Sequence, residues 1–308
     1  MFVCSRNTQS ICDDVWLRLT KREGSFKYCR VGCWSDREPT YGPGTFTMTS
    51  EREEMLSTFR AALTDFAHSH QTFRLLQPAL PSPCTHLHVL DSSFNPPTLA
   101  HLSLAVSSIP TATSPADTRI LLLLATQNAD KPSAPAPFED RLAMMHLLSR
   151  SAAFPVPVDI ALTKHARFLD KSRDLVEAYP EAEQVYLTGY DTLIRLLDAK
   201  YYPTGMESLR AFFERSRVVC TMRDGGWGQM EEQRAYLESI KKGEREHEGC
   251  RREWAEMITL VEGKEEGKGV SSTNVREAVK KRGEDALTRY LTKDVAEYIR
   301  ERGLYTDA

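Results

Sequence analysis

Apolar residues return at two different periods along this chain, and the alternation between those periods sets the expected architecture. From Met48, the run TSEREEMLSTFRAALTDFAHSHQTFRLL places Met55, Phe59, Leu63 and Phe66 at helical spacing. Ser50, with Glu53 three residues on, has the form of a capping box. After the Pro-rich link QPALPSPCTH, short β-rich runs alternate with helical ones. HLHVLDS reads as a strand, Pro97 to Ser108 as a helix, RILLLLAT as a strand and Phe138 to Arg150 as a helix. VPVDIAL, EQVYLTGYD and RVVCTMR read as further strands, with helices at 170–179, 192–199 and 207–215. Such alternation predicts βαβ units, hence an α/β fold with a doubly wound, mostly parallel sheet and helices on both faces. A C-terminal helical segment follows in TNVREAVKKRG and ALTRYLTKDVAEYIRERGLY, with Gly283 and Gly303 as helix-end punctuation.

Three stretches fall outside that rhythm. Residues 1–47 show no sustained period and read as a poorly ordered extension. Residues 48–84 read as a helix and linker, ahead of a main domain over 85–308. Within that domain, 229–269 is dense in alternating charge (EEQRAYLESIKKGEREHEGCRREW) and reads as a solvated helix plus loop, with one more strand in WAEMITLVE.

Composition narrows the partners. A hydrophobic share of 41% and a charged share of 27% are ordinary for a globular protein. A net charge of -3 argues against a general nucleic-acid surface, although local basic clusters can still hold phosphates. No apolar run approaches the roughly 20 residues a membrane-spanning helix needs. Seven cysteines without paired CxxC spacing fit reduced thiols of the cytosol or nucleus. The oligomeric state is left open, a homo-oligomer included.

The first strand runs into Asp91-Ser92-Ser93-Phe94-Asn95-Pro96-Pro97-Thr98-Leu99-Ala100-His101. In an open α/β sheet, ligands bind beyond the carboxyl ends of the strands. Small Ser92 and Ser93 leave backbone amides approachable, and Thr98 and His101 fall on one face of the opening helical turns. That sets a hydroxyl and an imidazole beside the free amides of a helix start, where anions are favoured by ~0.3–2 kcal/mol. An isolated T-x-x-H is equally a capped turn with a half-buried histidine. The second segment is Val270-Ser271-Ser272-Thr273-Asn274-Val275-Arg276, in which Ser272 or Thr273 can cap a helix and Arg276 can grip phosphate oxygens. Alone it is also a plain helix cap. At a third strand end lie Gly189, permitting close backbone approach, and Asp191, able to accept from ribose or base.

Taken in order, S-F-N-P-P-T-x-x-H, G-x-D and S-S-T-x-x-R resemble the nicotinamide mononucleotide adenylyltransferases of the HIGH nucleotidyltransferase superfamily, in a divergent, fungal-type form. RYLTKDVAEYIRERGLY is similar to that family's C-terminal end, whereas VSSTNVR does not match the last motif of the cytidylyltransferases. The resemblance spans roughly Leu87 to Tyr305 and implies a Rossmann-like fold. It also implies a dinucleotide cleft lined by Ser92, Ser93 and Phe94, with Thr98 and His101 on the ATP phosphates. By the same resemblance Gly189 and Asp191 hold the adenosine side, and Ser271, Ser272, Thr273 and Arg276 hold the phosphates that leave. Lys131 corresponds to a phosphate-gripping lysine and Arg223 to a substrate-side arginine. Phe168, Ser172 and Trp227 stand in for a pyridine-stacking Trp-Glu segment that has no clear match. Asp91 replaces a glycine of the family and sets a negative charge near bound phosphates.

The reaction so implied joins ATP to nicotinamide or nicotinic acid mononucleotide, with Mg²⁺ carried on substrate phosphates and no carboxylate cage for a metal. Two alternatives stay open on the sequence: a nucleotide-binding or weakly ATP-hydrolysing protein on the same fold, or transfer to another acceptor such as phosphopantetheine.

Overall fold

The computed structural model describes residues 48–78, 84–110, 113–126, 135–222, 228–263, 269–281 and 284–306. Six parallel strands and one antiparallel edge strand form its sheet, in the order β1-β4-β3-β2-β5-β6-β7. The strands are β1 (Phe73–Gln77), β2 (His86–Asp91), β3 (Thr118–Ala125), β4 (Val158–Thr163), β5 (Glu183–Gly189), β6 (Ser216–Met222) and β7 (Ile258–Glu262). Helices α1 (Met48–His68), α2 (Leu99–Ser107), α3 (Phe138–Ser149), α4 (Phe168–Ala178), α5 (Tyr190–Leu196) and α6 (Leu209–Phe213) alternate with them. Then come α7 (Met230–Lys241), α8 (Ser272–Lys280), α9 (Glu284–Tyr290) and α10 (Lys293–Arg302).

Period-two alternation divides the strand side chains between two cores. Ile120, Leu122, Leu124, Ile160 and Leu162 face one side, where α1, α3, α8 and α10 contribute Phe59, Phe66, Met144, Val275 and Tyr298. Leu87, Val89, Leu121, Leu123 and Tyr186 face the other, with Leu169, Leu193, Phe212 and Trp254. Since β3 and β4 are covered on both faces, they are mostly apolar in sequence, and the charges they do carry, Arg119 and Asp159, pair with each other in the interior. The doubly wound α/β expectation holds.

Two elements differ from the sequence reading. Helix α1 stops at His68, and FRLLQ, read as its tail, forms β1 antiparallel to β4. Five mostly apolar residues carry no period of their own, and the open edge of β4 decides their state. The segment 229–269 is more than a solvated excursion. Its Gln233, Ile240, Cys250 and Trp254 are buried, and Ile258–Glu262 pairs with β6 at the sheet's other edge. Residues 1–47 lie outside the described residues.

His88 on β2 is buried, and its Nδ1 lies 3.0 Å from Ser108 Oγ. Burial, reinforced by His86, lowers its pKa to about 4. Burial also lowers His146, whose Nδ1 meets Gln77 Oε1 at 2.7 Å. These rings resist protonation when folded but accept it when unfolded near pH 6.5. For His88, stability is therefore intact above about pH 6.5 and declines as pH falls towards 4, by up to ~1.4 kcal/mol per unit, and His146 adds to the decline in the same direction. Melting curves from pH 7 to 4.5 should show that decline, and His88→Gln should flatten it. An unchanged slope in His88→Gln would remove His88 from the account.

Candidate active site

The strand order reverses at β2, which lies between β3 and β5, so a crevice opens where β2 and β5 end. The chain leaves β2 through Ser92 to Thr98, with Phe94 at φ 46° and buried Asn95, Pro96, Pro97 and Thr98, before entering α2. Three side chains from two distant parts of the chain fasten this loop. Arg276 Nη1 donates to Asn95 O at 2.7 Å, and Ser272 Oγ donates to Pro96 O at 2.8 Å. From beyond α10, Tyr305 Oη donates to Asn95 Oδ1 at 2.9 Å.

His101 sits in the first turn of α2. Its Nδ1 accepts the Thr98 backbone N–H at 3.0 Å and lies 2.9 Å from Thr98 Oγ1, so histidine occupies the capping-box place usually held by Glu or Gln. Burial holds the ring's pKa down at about 4. It is neutral at pH 7, and because Nδ1 accepts, Nε2 carries the proton. Nε2 faces Ser92 Oγ at 2.9 Å, and Phe94 packs against the ring with centroids 5.3 Å apart. The side chain is thus a fixed neutral donor at the loop.

At α8 the cap is Ser271, whose Oγ accepts from Asn274 N at 3.0 Å, rather than Ser272 or Thr273. Ser272 is turned to the loop instead. Thr273 Oγ1 accepts from Arg276 Nη2 at 3.1 Å, which holds the guanidinium across the helix start. Both helix starts, with the neutral imidazole of His101 and the guanidinium of Arg276, therefore meet on one loop.

The other expected residues are placed as follows. Ser93 is exposed and Ser92 partly so. A Cβ on Gly189 would lie 2.9 Å from Asp191 Oδ1, so the close approach Gly189 permits is that of its neighbour's carboxylate. Phe168 lies among Tyr186 (5.0 Å) and Phe212 (6.5 Å) on the second core face and stays partly exposed. Ser172 is 5% exposed, with its hydroxyl 3.3 Å from Ser216 Oγ and its carbonyl accepting from Gln184 Nε2. Its hydroxyl is committed inside the core. Lys131, Arg223 and Trp227 lie outside the described residues.

Two residues that the sequence did not single out belong here. Lys171, in the second turn of α4, forms an ion pair with Asp91, whose charge is therefore not free. Arg141, on α3, is 2% exposed. Its Nε donates to Ala136 O at 2.9 Å, while Nη2 has no partner among the described residues. Burial lowers its pKa, Tyr305 opposes that shift and Arg276 adds to it, so the two guanidiniums are near enough to repel. No carboxylate pairs with either one among the described residues, which leaves a positive field for an anion to complete. A lone arginine among the apolar residues of α3 gave no periodic signal, and only its missing partner marks it.

A neutral donor, two helix starts and two guanidiniums without a carboxylate partner among the described residues gather near the switch point of a doubly wound sheet, a setting suited to the phosphates that a nucleotidyltransferase handles. The cytidylyltransferase-like family model matches residues 89–278, and the chain belongs to that family. It is 39% identical over 217 residues to a Schizosaccharomyces pombe protein assigned as a nicotinamide mononucleotide adenylyltransferase, covering 70% of this chain and 84% of that one. Among solved structures it resembles the Plasmodium falciparum nicotinic acid mononucleotide adenylyltransferase complexed with NaAD. The TM-score is 0.50 at 14% identity, over 72% of this chain and 97% of that one. The same enzyme complexed with APC gives the same TM-score and identity. At that identity the structural likeness speaks for the fold alone.

Proposed function

We propose that this chain joins ATP to nicotinamide or nicotinic acid mononucleotide, forming the dinucleotide and pyrophosphate, as a step of NAD synthesis. The observation that carries the reading is the convergence of His101 and Arg276 on the loop after β2, fixed by the 2.7 Å bond from Arg276 to Asn95 O. The 39% identity to the fission-yeast relative supports the choice of acceptor.

In this reaction an oxygen of the mononucleotide 5′-phosphate attacks the α-phosphorus of ATP, and the bond to the β-phosphate oxygen breaks. A phosphate is already an anion at pH 7, so no side-chain base is needed. What the protein must supply is alignment of two anions and stabilisation of charge on the α-phosphoryl and leaving groups. His101 Nε2–H serves as the neutral donor, and trades Ser92 Oγ for a phosphate oxygen. Arg276 and the α8 amides, with Ser271 to Thr273, hold the departing phosphates, and Arg141 adds its unpaired N–H from beneath. Thr98 keeps the His101 tautomer. Ser92, Ser93 and Phe94 shape the loop, Gly189 and Asp191 take the adenosine side, and Lys131, Arg223, Phe168 and Trp227 are the candidates for the mononucleotide side.

The donors gathered at this loop are N–H, hydroxyl and guanidinium groups, and no cluster of three His, Cys, Asp or Glu occurs among the described residues. Such a set fits Mg²⁺ that arrives on the triphosphate and draws charge from its oxygens, with the protein gripping the phosphates around it. Cys84, Cys220 and Cys250 are free and buried, as suits a reducing cytosolic or nuclear compartment. No helix among the described residues is long and apolar enough to cross a membrane.

Purified protein given ATP, Mg²⁺ and either mononucleotide should yield dinucleotide and pyrophosphate in equal amounts. Inorganic phosphate without dinucleotide would overturn the proposal in favour of hydrolysis. Inertness towards both mononucleotides would overturn the acceptor.

A further inference from the structure

We propose that Lys171 is a positioning residue for nucleotide binding, which acts by cancelling the charge of Asp91 at the foot of the phosphate loop. The inference rests on the triphosphate occupying that loop, as proposed above.

Asp91 is the last residue of β2, and the next residue, Ser92, already contacts His101. Alternation along β2 turns Asp91 to the face of Leu87 and Val89, which is the face on which α4 packs. Lys171 closes on it from there, across 80 positions of sequence. The Lys171 side chain is 3% exposed and that of Asp91 13%, so the amine is the sealed end of the pair and the acid the open end. Below the amine, Nζ lies 5.5 Å from the centre of the Phe168 ring, which favours a cation there. Neither residue joins another ion pair among the described residues.

The consequence is electrostatic. A bare carboxylate one residue from the phosphate loop, poorly screened because it is mostly buried, would repel every charge on an incoming triphosphate. Paired with an ammonium it presents a dipole instead of a net charge, and a dipole's field falls off faster with distance. The ion pair therefore permits an acid at a position that faces anions, while tying the start of α4 to the end of the central strand.

Lys171→Met, Asp91→Asn and the double variant test this, each measured by thermal melting, by ATP titration without acceptor, and by steady-state kinetics. In Lys171→Met the free acid should raise KM and Kd for ATP about tenfold or more, with kcat changed less, and added salt should narrow the gap. Asp91→Asn should leave KM for ATP at or below the wild-type value. The double variant, in which a buried pair gives way to uncharged groups and folding is commonly kept, should return to within about threefold of wild type. Rescue of this kind is not expected from loss of packing alone.

A folded Lys171→Met with wild-type affinity for ATP would overturn the proposal, as would a double variant as impaired as Lys171→Met. Should Lys171→Met not fold, the other two variants decide, and a large rise of KM in Asp91→Asn counts against the idea. Wild-type protein that binds ATP without making dinucleotide would fault the acceptor assignment and leave the charge test standing.

Discussion

His101→Ala is expected to lower kcat by about 10²–10³, the ~2.7–4 kcal/mol that losing one preorganised donor to a developing charge costs. The size follows from preorganisation: the ring is held by Thr98 on one nitrogen and aims the other at the loop, so no reorientation is needed when charge develops. The effect should fall on kcat more than on KM for ATP, because a neutral donor gains most when the phosphoryl oxygens gain charge. A ring with a pKa near 4 is also already neutral across the working range. The wild-type rate should therefore show no break near pH 6.5 assignable to His101. The substitution also removes the acceptor for the Thr98 N–H, at a cost of ~0.5–2 kcal/mol of stability. Single-turnover rates of a folded variant are the measurement, and unchanged turnover would discard the assignment.

Arg276→Ala should reduce kcat/KM for ATP by about 30- to 150-fold, the ~2–3 kcal/mol of a hydrogen bond to a charged group. Arg276→Lys should recover little of it. The native guanidinium spends one nitrogen on Asn95 O and another on Thr273 Oγ1, and it keeps further N–H donors for phosphate. An ammonium has no planar fork to divide in that way. Weaker inhibition by pyrophosphate in both variants would place the arginine on the leaving group. If pyrophosphate inhibition and KM for ATP are both unchanged in Arg276→Ala, the residue is only a loop fastener.

The missed contacts were missed for definite reasons. Nothing near Asp91 in the sequence announces a cation, because its partner arrives on a helix that follows two further strands. Ser271 rather than Ser272 caps α8 because Ser272 has an acceptor, Pro96 O, that lies 176 positions away. Asn95 is held from both later segments at once, by Arg276 and Tyr305. The resemblance implied that these segments share a site, but no local period could have shown how they touch.

By itself the sequence determined what is local. The alternation of strands and helices, the largely apolar β3 and β4, the helix starts near His101 and Arg276 and the hydroxyl residues beside them all follow from steric and hydrogen-bonding preferences within a few residues. The tertiary structure decided what depends on a neighbour supplied from elsewhere. The edge of β4 made FRLLQ a strand, burial chose the neutral state of His101, and Lys171 cancelled the charge of Asp91. Electrostatic state and edge pairing are set by distance in space, and separations of 80 to 181 residues leave no trace in a period of two or 3.6.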